Sequence, residues 1–242
     1  MEKYSKIFEV SSYECDVNNQ LRLRVLLNYF QDMADNHADK MGVGYHYCIQ
    51  NGLGWIGGGY DIEINRLPKW GDKVLLKTWP SKTNIATAYR EFEMSNVETG
   101  EILVRASSQW VLLDTLKNRP LAITKRIEWF DLIEDRAVDT NFPKLPTVDV
   151  PQISISQIIR SDDIDLNNHV NNAVYPTWIL DALPSEFLSK HTLTKIQIQY
   201  KYPAKHGDDI QVLTTVSEEK ITQHMIVGTE GKEYARIVCQ WQ

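Results

Sequence analysis

From Leu23 to Met41 the apolar residues Leu23, Leu26, Leu27, Phe30, Met33, Ala34 and Met41 fall three and four positions apart, with His37 on the same stripe. That spacing lines one face of a long amphipathic helix, and Gly42 and Gly44 mark its end. Ahead of it, Lys6–Tyr13 alternates loosely and predicts a strand, and 16–19 reads as a turn. Behind it a glycine-rich stretch, Gly52 to Gly59, contains Trp55 and leads into strands. These are expected at Tyr60–Asn65, Val74–Trp79, Ala86–Ser95 and Ile102–Asp114, with turn signals at Pro68, Gly71, Pro80 and Gly100. Several strands around one helix make an α+β unit.

The pattern then lapses. Leu116 to about Val150 carries Pro120, Pro143, Pro146 and many charges, and predicts a linker with a short helix running over the surface. It returns near Ile153, with a shorter helix at about Ala173–Leu183 whose Pro176 is tolerable near the start. Strands follow at Lys195–Tyr202, Asp209–Val216, Gln223–Thr229 and Tyr234–Trp241, the element order of the first half.

The residues repeat as well as the pattern. Asp165-Leu166-Asn167-Asn168-His169-Val170 echoes Asp16-Val17-Asn18-Asn19-Gln20-Leu21. Downstream, Lys205-His206-Gly207-Asp208-Asp209-Ile210 echoes Lys69-Trp70-Gly71-Asp72-Lys73-Val74. Two echoes in one order imply a folding unit used twice. The expected boundaries are 1–118, a linker 119–152, and 153–242. The copies differ where Gln20 answers His169, which points to one chemically live site and one retired one.

Composition narrows the class. The chain has 242 residues, 43% hydrophobic and 10% aromatic, enough for two cores. The formal charge of −6 argues against a general nucleic-acid binder. Cys15, Cys48 and Cys239 are odd in number and far apart, so neither a zinc site nor a disulfide framework is expected and a reducing cytoplasm fits. The N-terminal residues are not expected to act as a signal peptide, and no apolar run is long enough to span a membrane.

Hydrolysis at a carbonyl carbon calls for a nucleophile, proton management and a donor for the developing oxyanion. Asp165, Asn167 and His169 offer those types within five residues, in a loop whose alternate side chains would project together if extended. Asn172 offers a further donor. Aspartate and asparagine also cap helices and shape turns, and Asp16 and Asn18 read as the capping-only version. His169 breaks the symmetry. Asp165 attacking the carbonyl and Asp165 polarising water remain alternatives, as do carbonyl binding and proton transfer by His169. The cysteines read as buried and inert. His37 reads as a packed core residue. Lys69, Lys73, Lys195, Lys201 and Lys205 read either as a solvated rim or as contacts for an acidic partner.

Three blocks resemble the acyl-ACP thioesterase family of plants and bacteria. They are Asp165 to Asn172 followed by Val174-Tyr175 and Trp178, Leu26-Leu27-Asn28 through Gln31 to Asn36-His37-Ala38, and Trp55 through Arg66-Leu67-Pro68-Lys69-Trp70-Gly71-Asp72 with Ser108-Gln109-Trp110-Val111. The resemblance implies a tandem (double) hotdog, two antiparallel sheets each wrapped around a helix. It implies hydrolysis of a fatty-acyl thioester on acyl carrier protein, with His169, Asn167 and Asp165 catalytic. It implies an acyl pocket in the first unit formed by Phe30, Met33, Trp55 and Trp110. No metal or nucleotide cofactor is implied. One departure stands out: family members usually carry an acidic residue shortly before the second Gly-Asp turn, and Tyr200-Lys201-Tyr202-Pro203-Ala204-Lys205 has none. A hotdog hydrolase of acyl-CoA is the alternative enzyme, and a non-catalytic acyl sensor the alternative of another class. A DNA-acting sensor would add a basic helix-turn-helix, and none is visible. Monomer and homodimer both remain open.

Overall fold

The computed structural model describes residues 2–125, 127, 132–218, 220–228 and 231–242. Two compact units divide the chain, Met1–Asn141 and Phe142–Gln242.

In unit 1 the strands are β1 (Tyr4–Glu9), β2 (Leu53–Ile64), β3 (Lys73–Thr83), β4 (Thr87–Asn96), β5 (Ile102–Asp114) and the short β6 (Arg119–Pro120). They pair antiparallel in the order β1-β3-β4-β5-β2, with β6 beside β5. The long helix α1 (Leu23–Lys40) buries Leu23, Leu26, Leu27, Phe30, Met33 and His37. Phe30 stacks on Phe92 of β4 with ring centroids 4.6 Å apart, so the predicted apolar stripe is the face that meets the sheet. The helix ends where Gly42 takes φ +73° and Val43 N–H returns to the Ala38 carbonyl. Glycine suits that left-handed position. Gly44 serves a different purpose, because a Cβ there would lie 2.5 Å from the Asp39 backbone nitrogen. The chain then makes a second, short helix α2 (Tyr45–Gln50) that periodicity did not predict.

Two strands run further than their sequence signals. β2 begins at Leu53, so the glycine-rich stretch is strand rather than approach, and its pairing with β5 slips by one residue between Gly57 and Gly59. A bulge absorbs the extra residue, which is where glycine inside a strand belongs. β3 continues through Pro80 to Thr83. β1 pairs only with residues 73–78, so the missing Pro80 N–H costs no bond on that side, and a second irregularity follows between Pro80 and Lys82.

Unit 2 repeats the plan with β7 (Ile153–Gln157), α3 (Tyr175–Asp181), α4 (Ser185–Lys190), β8 (Leu193–Tyr200), β9 (Ile210–Val216), β10 (Ile221–Val227) and β11 (Glu233–Trp241). The order β7-β9-β10-β11-β8 is that of unit 1 with each strand replaced by its counterpart. The central helix is shorter, with Pro176 in its first turn and Tyr175, Trp178 and Ile179 buried. Tyr175 meets Tyr200 of β8 edge-on at 5.4 Å. The expected end of one strand at Thr229 lies outside the described residues.

The segment expected to be a surface linker is corrected by its burial. Ile123, Ile127 and Val138 of unit 1 and Leu145 and Val148 of unit 2 are all buried. Its short helix is a single 3-10 turn at Ile123–Lys125, and Arg126 and 128–131 lie outside the described residues. In unit 1 the segment is pinned by Glu91, a fully buried carboxylate. Glu91 accepts hydrogen bonds from Ser81 Oγ (2.6 Å), Ser107 Oγ (2.9 Å) and the Ala137 N–H (3.1 Å). Arg136 Nε approaches it at 2.8 Å as a charge partner without hydrogen-bond alignment. Trp79 Nε1 donates to the Asp135 carbonyl, and Ile133 N–H to that of Pro80. In unit 2 Arg236 pairs with Glu233 and donates to the Leu145 carbonyl. A buried charge is tolerated when paired and hydrogen-bonded, so the strap completes each core.

Candidate functional site

Each unit opens its helical layer with the same turn. Asp165 Oδ1 accepts the N–H groups of Asn167 (2.8 Å) and His169 (3.3 Å). Asp165 N–H donates to the His169 carbonyl at 2.8 Å and Asn168 N–H to the Asp165 carbonyl at 3.0 Å. Asn168 sits at φ +60°, a left-handed position that asparagine tolerates. In unit 1 Asp16 Oδ1 accepts the N–H groups of Asn18 and Gln20, both at 2.9 Å. Asp16 N–H donates to the Gln20 carbonyl, and Asn19 takes φ +58°. The residue after each aspartate, Val17 or Leu166, stands almost wholly in solvent. A short 3-10 turn precedes both loops, closed by Glu14 on the Ser11 N–H and by Asp163 on the Arg160 N–H. The loops are latched alike, Leu21 N–H to the Pro68 carbonyl and Val170 N–H to that of Ala204, each at 2.8 Å. The second echo matches too: Gly71 (φ +88°) and Gly207 (φ +90°) precede Asp72 and Asp208, whose carboxylates accept the N–H of Lys69 and Lys205.

The loop is therefore a closed turn, not the extended strand in which Asp165, Asn167 and His169 would project together. The Asp165 carboxylate is turned inward on backbone donors, with Asn167 Nδ2 near its other oxygen at 3.4 Å. Asn167 is exposed and His169 half-buried. Among the described residues neither ring nitrogen of His169 has a hydrogen-bond partner, so the turn leaves the imidazole unspent. Asn172 is half-buried, and its carbonyl accepts the Tyr200 hydroxyl at 2.8 Å. Beside it the Tyr175 hydroxyl accepts the Ala204 N–H at 3.2 Å. Burial pushes the Tyr175 phenol up to about 12, with the charges of Asp208 and Asp165 adding to the shift, so it stays protonated near neutrality.

In unit 1 a pocket of about 50 Å³ opens between α1 and the sheet. Ala38, Met41, Val43, Trp55, Ala88 and Trp110 supply apolar wall, and Asp35 and Arg90 the charged part. The Trp55 indole donates to the Val43 carbonyl and the Trp110 indole to Ser108 Oγ, which fixes both rings. Arg90 Nη1 lies 3.0 Å from His37 Nδ1 and donates to Thr78 Oγ1 at 3.2 Å. Burial holds His37 down to about 4, aided by Arg90 and Lys40. Burial raises Asp35 to about 6 against the pull of Arg90. The Asp35 side chain keeps an edge in solvent.

The family model of the acyl-ACP thioesterase N-terminal domain matches residues 1–129, and that of the C-terminal domain residues 152–242. The chain belongs to the acyl-ACP thioesterase family. It is 30% identical to the chloroplastic palmitoyl-acyl carrier protein thioesterase of Gossypium hirsutum over 99% of this chain and 63% of that one. It is 28% identical to the chloroplastic oleoyl-acyl carrier protein thioesterase 2 of Arabidopsis thaliana over 94% of this chain and 67% of that one. The chain spans a little over three fifths of the length of the first of these. Among solved structures it resembles the 12:0-ACP thioesterase from Umbellularia californica, with a TM-score of 0.87 and 24% identity over 99% of this chain and 97% of that one. An acyl-ACP thioesterase from Bacteroides thetaiotaomicron gives a TM-score of 0.89 and 20% identity over 99% and 98%. At those identities the likeness speaks for the fold, which is the double hotdog.

In this acyl-ACP thioesterase family chain the turn brings Asp165, Asn167 and His169 together, with Asn172 in the residues that follow. Of the four expected pocket residues, Trp55 and Trp110 line the unit 1 pocket. Phe30 and Met33 do not: both are fully buried where α1 packs on the sheet. The adjoining positions of α1, Ala34, Asp35 and Ala38, face the pocket instead. Arg90 was missed because its partner His37 is 53 positions away and its own strand reads as ordinary alternation. The three cysteines are free and buried, and burial raises all three thiols. Of the five lysines, Lys201 pairs with Glu233 at 3.2 Å. Among the described residues no cluster of metal-ligating side chains occurs, and no helix is long and apolar enough to cross a membrane.

Proposed function

We propose that this chain hydrolyses a fatty acyl-[acyl carrier protein] thioester, releasing free fatty acid and carrier and so ending chain elongation. The observation that carries the reading is the asymmetry of two otherwise matching turns: one presents glutamine, the other an unpartnered imidazole. In this reading His169 removes a proton from water as the water oxygen bonds to the thioester carbonyl carbon. A tetrahedral intermediate forms, the C–S bond breaks, and the imidazolium returns its proton to the departing sulfur. In the same reading Asn167 and Asn172 donate to the oxyanion. Asp165 acts as a positioning residue, since Asp16 makes the same bonds in a turn that has no histidine. This assignment asks nothing of the acidic residue absent from Tyr200–Lys205, because the imidazole itself is the base.

The unit 1 pocket holds the acyl chain, a division of labour supported by its apolar wall and by the lack of a histidine in the first turn. The partner is an acidic acyl carrier protein, for which exposed Lys69, Lys73 and Lys205 offer cationic contacts. A cytoplasmic location suits three unpaired cysteines. The test is thiol release from matched panels of acyl-ACPs and acyl-CoAs with wild type, His169→Ala and Gln20→Ala. His169→Ala should lower turnover by about 10²-fold or more while Gln20→Ala leaves it nearly unchanged. Near-normal turnover in folded His169→Ala would remove the site, and a preference for CoA substrates would reassign the carrier.

A further inference from the structure

The charged end of the unit 1 pocket calls for an explanation that acyl-chain binding does not give. Arg90 is about nine-tenths buried, and no carboxylate forms an ion pair with it among the described residues. Its Nη1 is spent on His37 Nδ1 and Thr78 Oγ1, while Nε and Nη2 have no hydrogen-bond partner among the described residues. Asp35 attracts the guanidinium without an ion-pair contact, and His37 adds no counter-charge, since burial keeps its imidazole neutral at ordinary pH. Arg90 also lines the pocket, together with Ala88, Trp55 and Trp110. An alkyl chain pressed against those donors would strip their water and return nothing, which is unfavourable for any buried polar group. A carboxylate with an alkyl tail matches both halves of the pocket: two parallel N–H donors for its oxygens and an apolar wall for its tail.

We propose that this pocket is a binding site for a free fatty carboxylate, with Arg90 taking the carboxylate and Trp55 and Trp110 flanking the tail. The inference rests on reading the pocket as the acyl-chain site, and it adds that the acid form competes for it. The carboxylate would therefore act as a product inhibitor, held by a group that the thioester, which bears no charge at its acyl carbon, does not engage as an anion. Asp35 is the opposing charge in the lining and limits the affinity.

The probe is octanoate, with octan-1-ol as its uncharged counterpart, and the readout is quenching or shift of tryptophan fluorescence in the intact protein. Octanoate should bind the wild type more tightly than octan-1-ol. Arg90→Gln should weaken octanoate by about tenfold or more, the scale of a lost charge-assisted pair, and leave octan-1-ol unchanged. Asp35→Asn, an isosteric change at an exposed position, should move octanoate the other way, tighter by about threefold. Equal binding of acid and alcohol, or an octanoate affinity indifferent to both variants, would overturn the proposal and leave Arg90 a structural member of the His37 cluster. Because the assay involves no turnover, octanoate binding without thiol release would instead count against the hydrolase reading alone.

Discussion

His224 should make unit 2 sensitive to acid in a way that one substitution removes. It lies in β10, fully buried, with Nδ1 2.8 Å from Thr214 Oγ1 and Nε2 2.8 Å from Thr222 Oγ1. Trp241 Nε1 donates to the same Thr222 oxygen at 3.1 Å, so the imidazole closes a small buried polar chain. Burial lowers its pKa from 6.5 to about 3. The unfolded chain therefore binds this proton more readily than the folded one. The stability conferred by keeping the ring neutral is complete above 6.5, falls as the pH drops through the interval from 6.5 to about 3, and then levels off. One pKa unit corresponds to about 1.4 kcal/mol, so the loss at pH 5 is about 2 kcal/mol. His37 in unit 1, lowered to about 4, loses a similar amount at pH 5. Wild type should thus be about 4 kcal/mol less stable at pH 5 than at pH 7.5 from these two groups together. His224→Gln keeps a donor and an acceptor near the two threonines and cannot titrate. Whatever it costs at pH 7.5, its further loss on going to pH 5 should be smaller than that of wild type by about 2 kcal/mol. Urea unfolding followed by tryptophan fluorescence at both pH values measures this. Parallel losses in wild type and variant would show that His224 is not held neutral by the fold.

The paired turns make their own forecast. Asp16→Ala should lower the melting temperature by roughly 3 °C through loss of its two backbone acceptor contacts, and leave turnover of the folded enzyme near normal. Asp165→Ala should lower both, and normal turnover in that variant would remove the aspartate from the site. Gly44→Ala should destabilise by about 1–3 kcal/mol, because the new methyl group meets the Asp39 backbone, and an unchanged urea midpoint would show that the α1–α2 junction relaxes freely. Ala38→Leu, which fills the pocket, should shift thiol release toward shorter acyl chains. Each methylene no longer accommodated forfeits about 0.8 kcal/mol, close to fourfold in kcat/KM. The same length profile at lower stability would mean that the acyl chain lies elsewhere.

The long helix and the duplicated plan could be read from the chain because both rest on local, repeated signals. The α1 stripe is eighteen residues of one period, and β5 begins and ends at the expected residues. Signals failed where a neighbour decides the outcome. Pro80 and the glycines of β2 are local strand breakers, yet bulges and the early end of β1 leave no hydrogen bond for them to break. The six-residue helices α2 and α4 are too short for periodicity to register. The buried residues of the strap follow the surfaces they cover, so they show no period of their own. At the site, Asp-x-Asn was open to two readings, and hydrogen bonds across the turn favour the structural one for the aspartate. Arg90 was illegible for the same reason as the strap: its meaning lies in partners contributed by other elements.

The strap redraws the smallest piece of this chain able to fold alone. A fragment ending at 118, where the sequence pattern lapses, would keep every strand of the first sheet but the short β6. It would also strand Glu91 in the interior with two serine hydroxyls and neither the cation nor the amide of Arg136 and Ala137. Such a fragment should express poorly, or take up a proton at Glu91 on folding and become stable only in acid. Extending it to Asn141 restores the counter-charge. Fusions and unit swaps with other hotdog proteins should therefore be spliced after the buckle rather than before it, although the sequence there reads as tether.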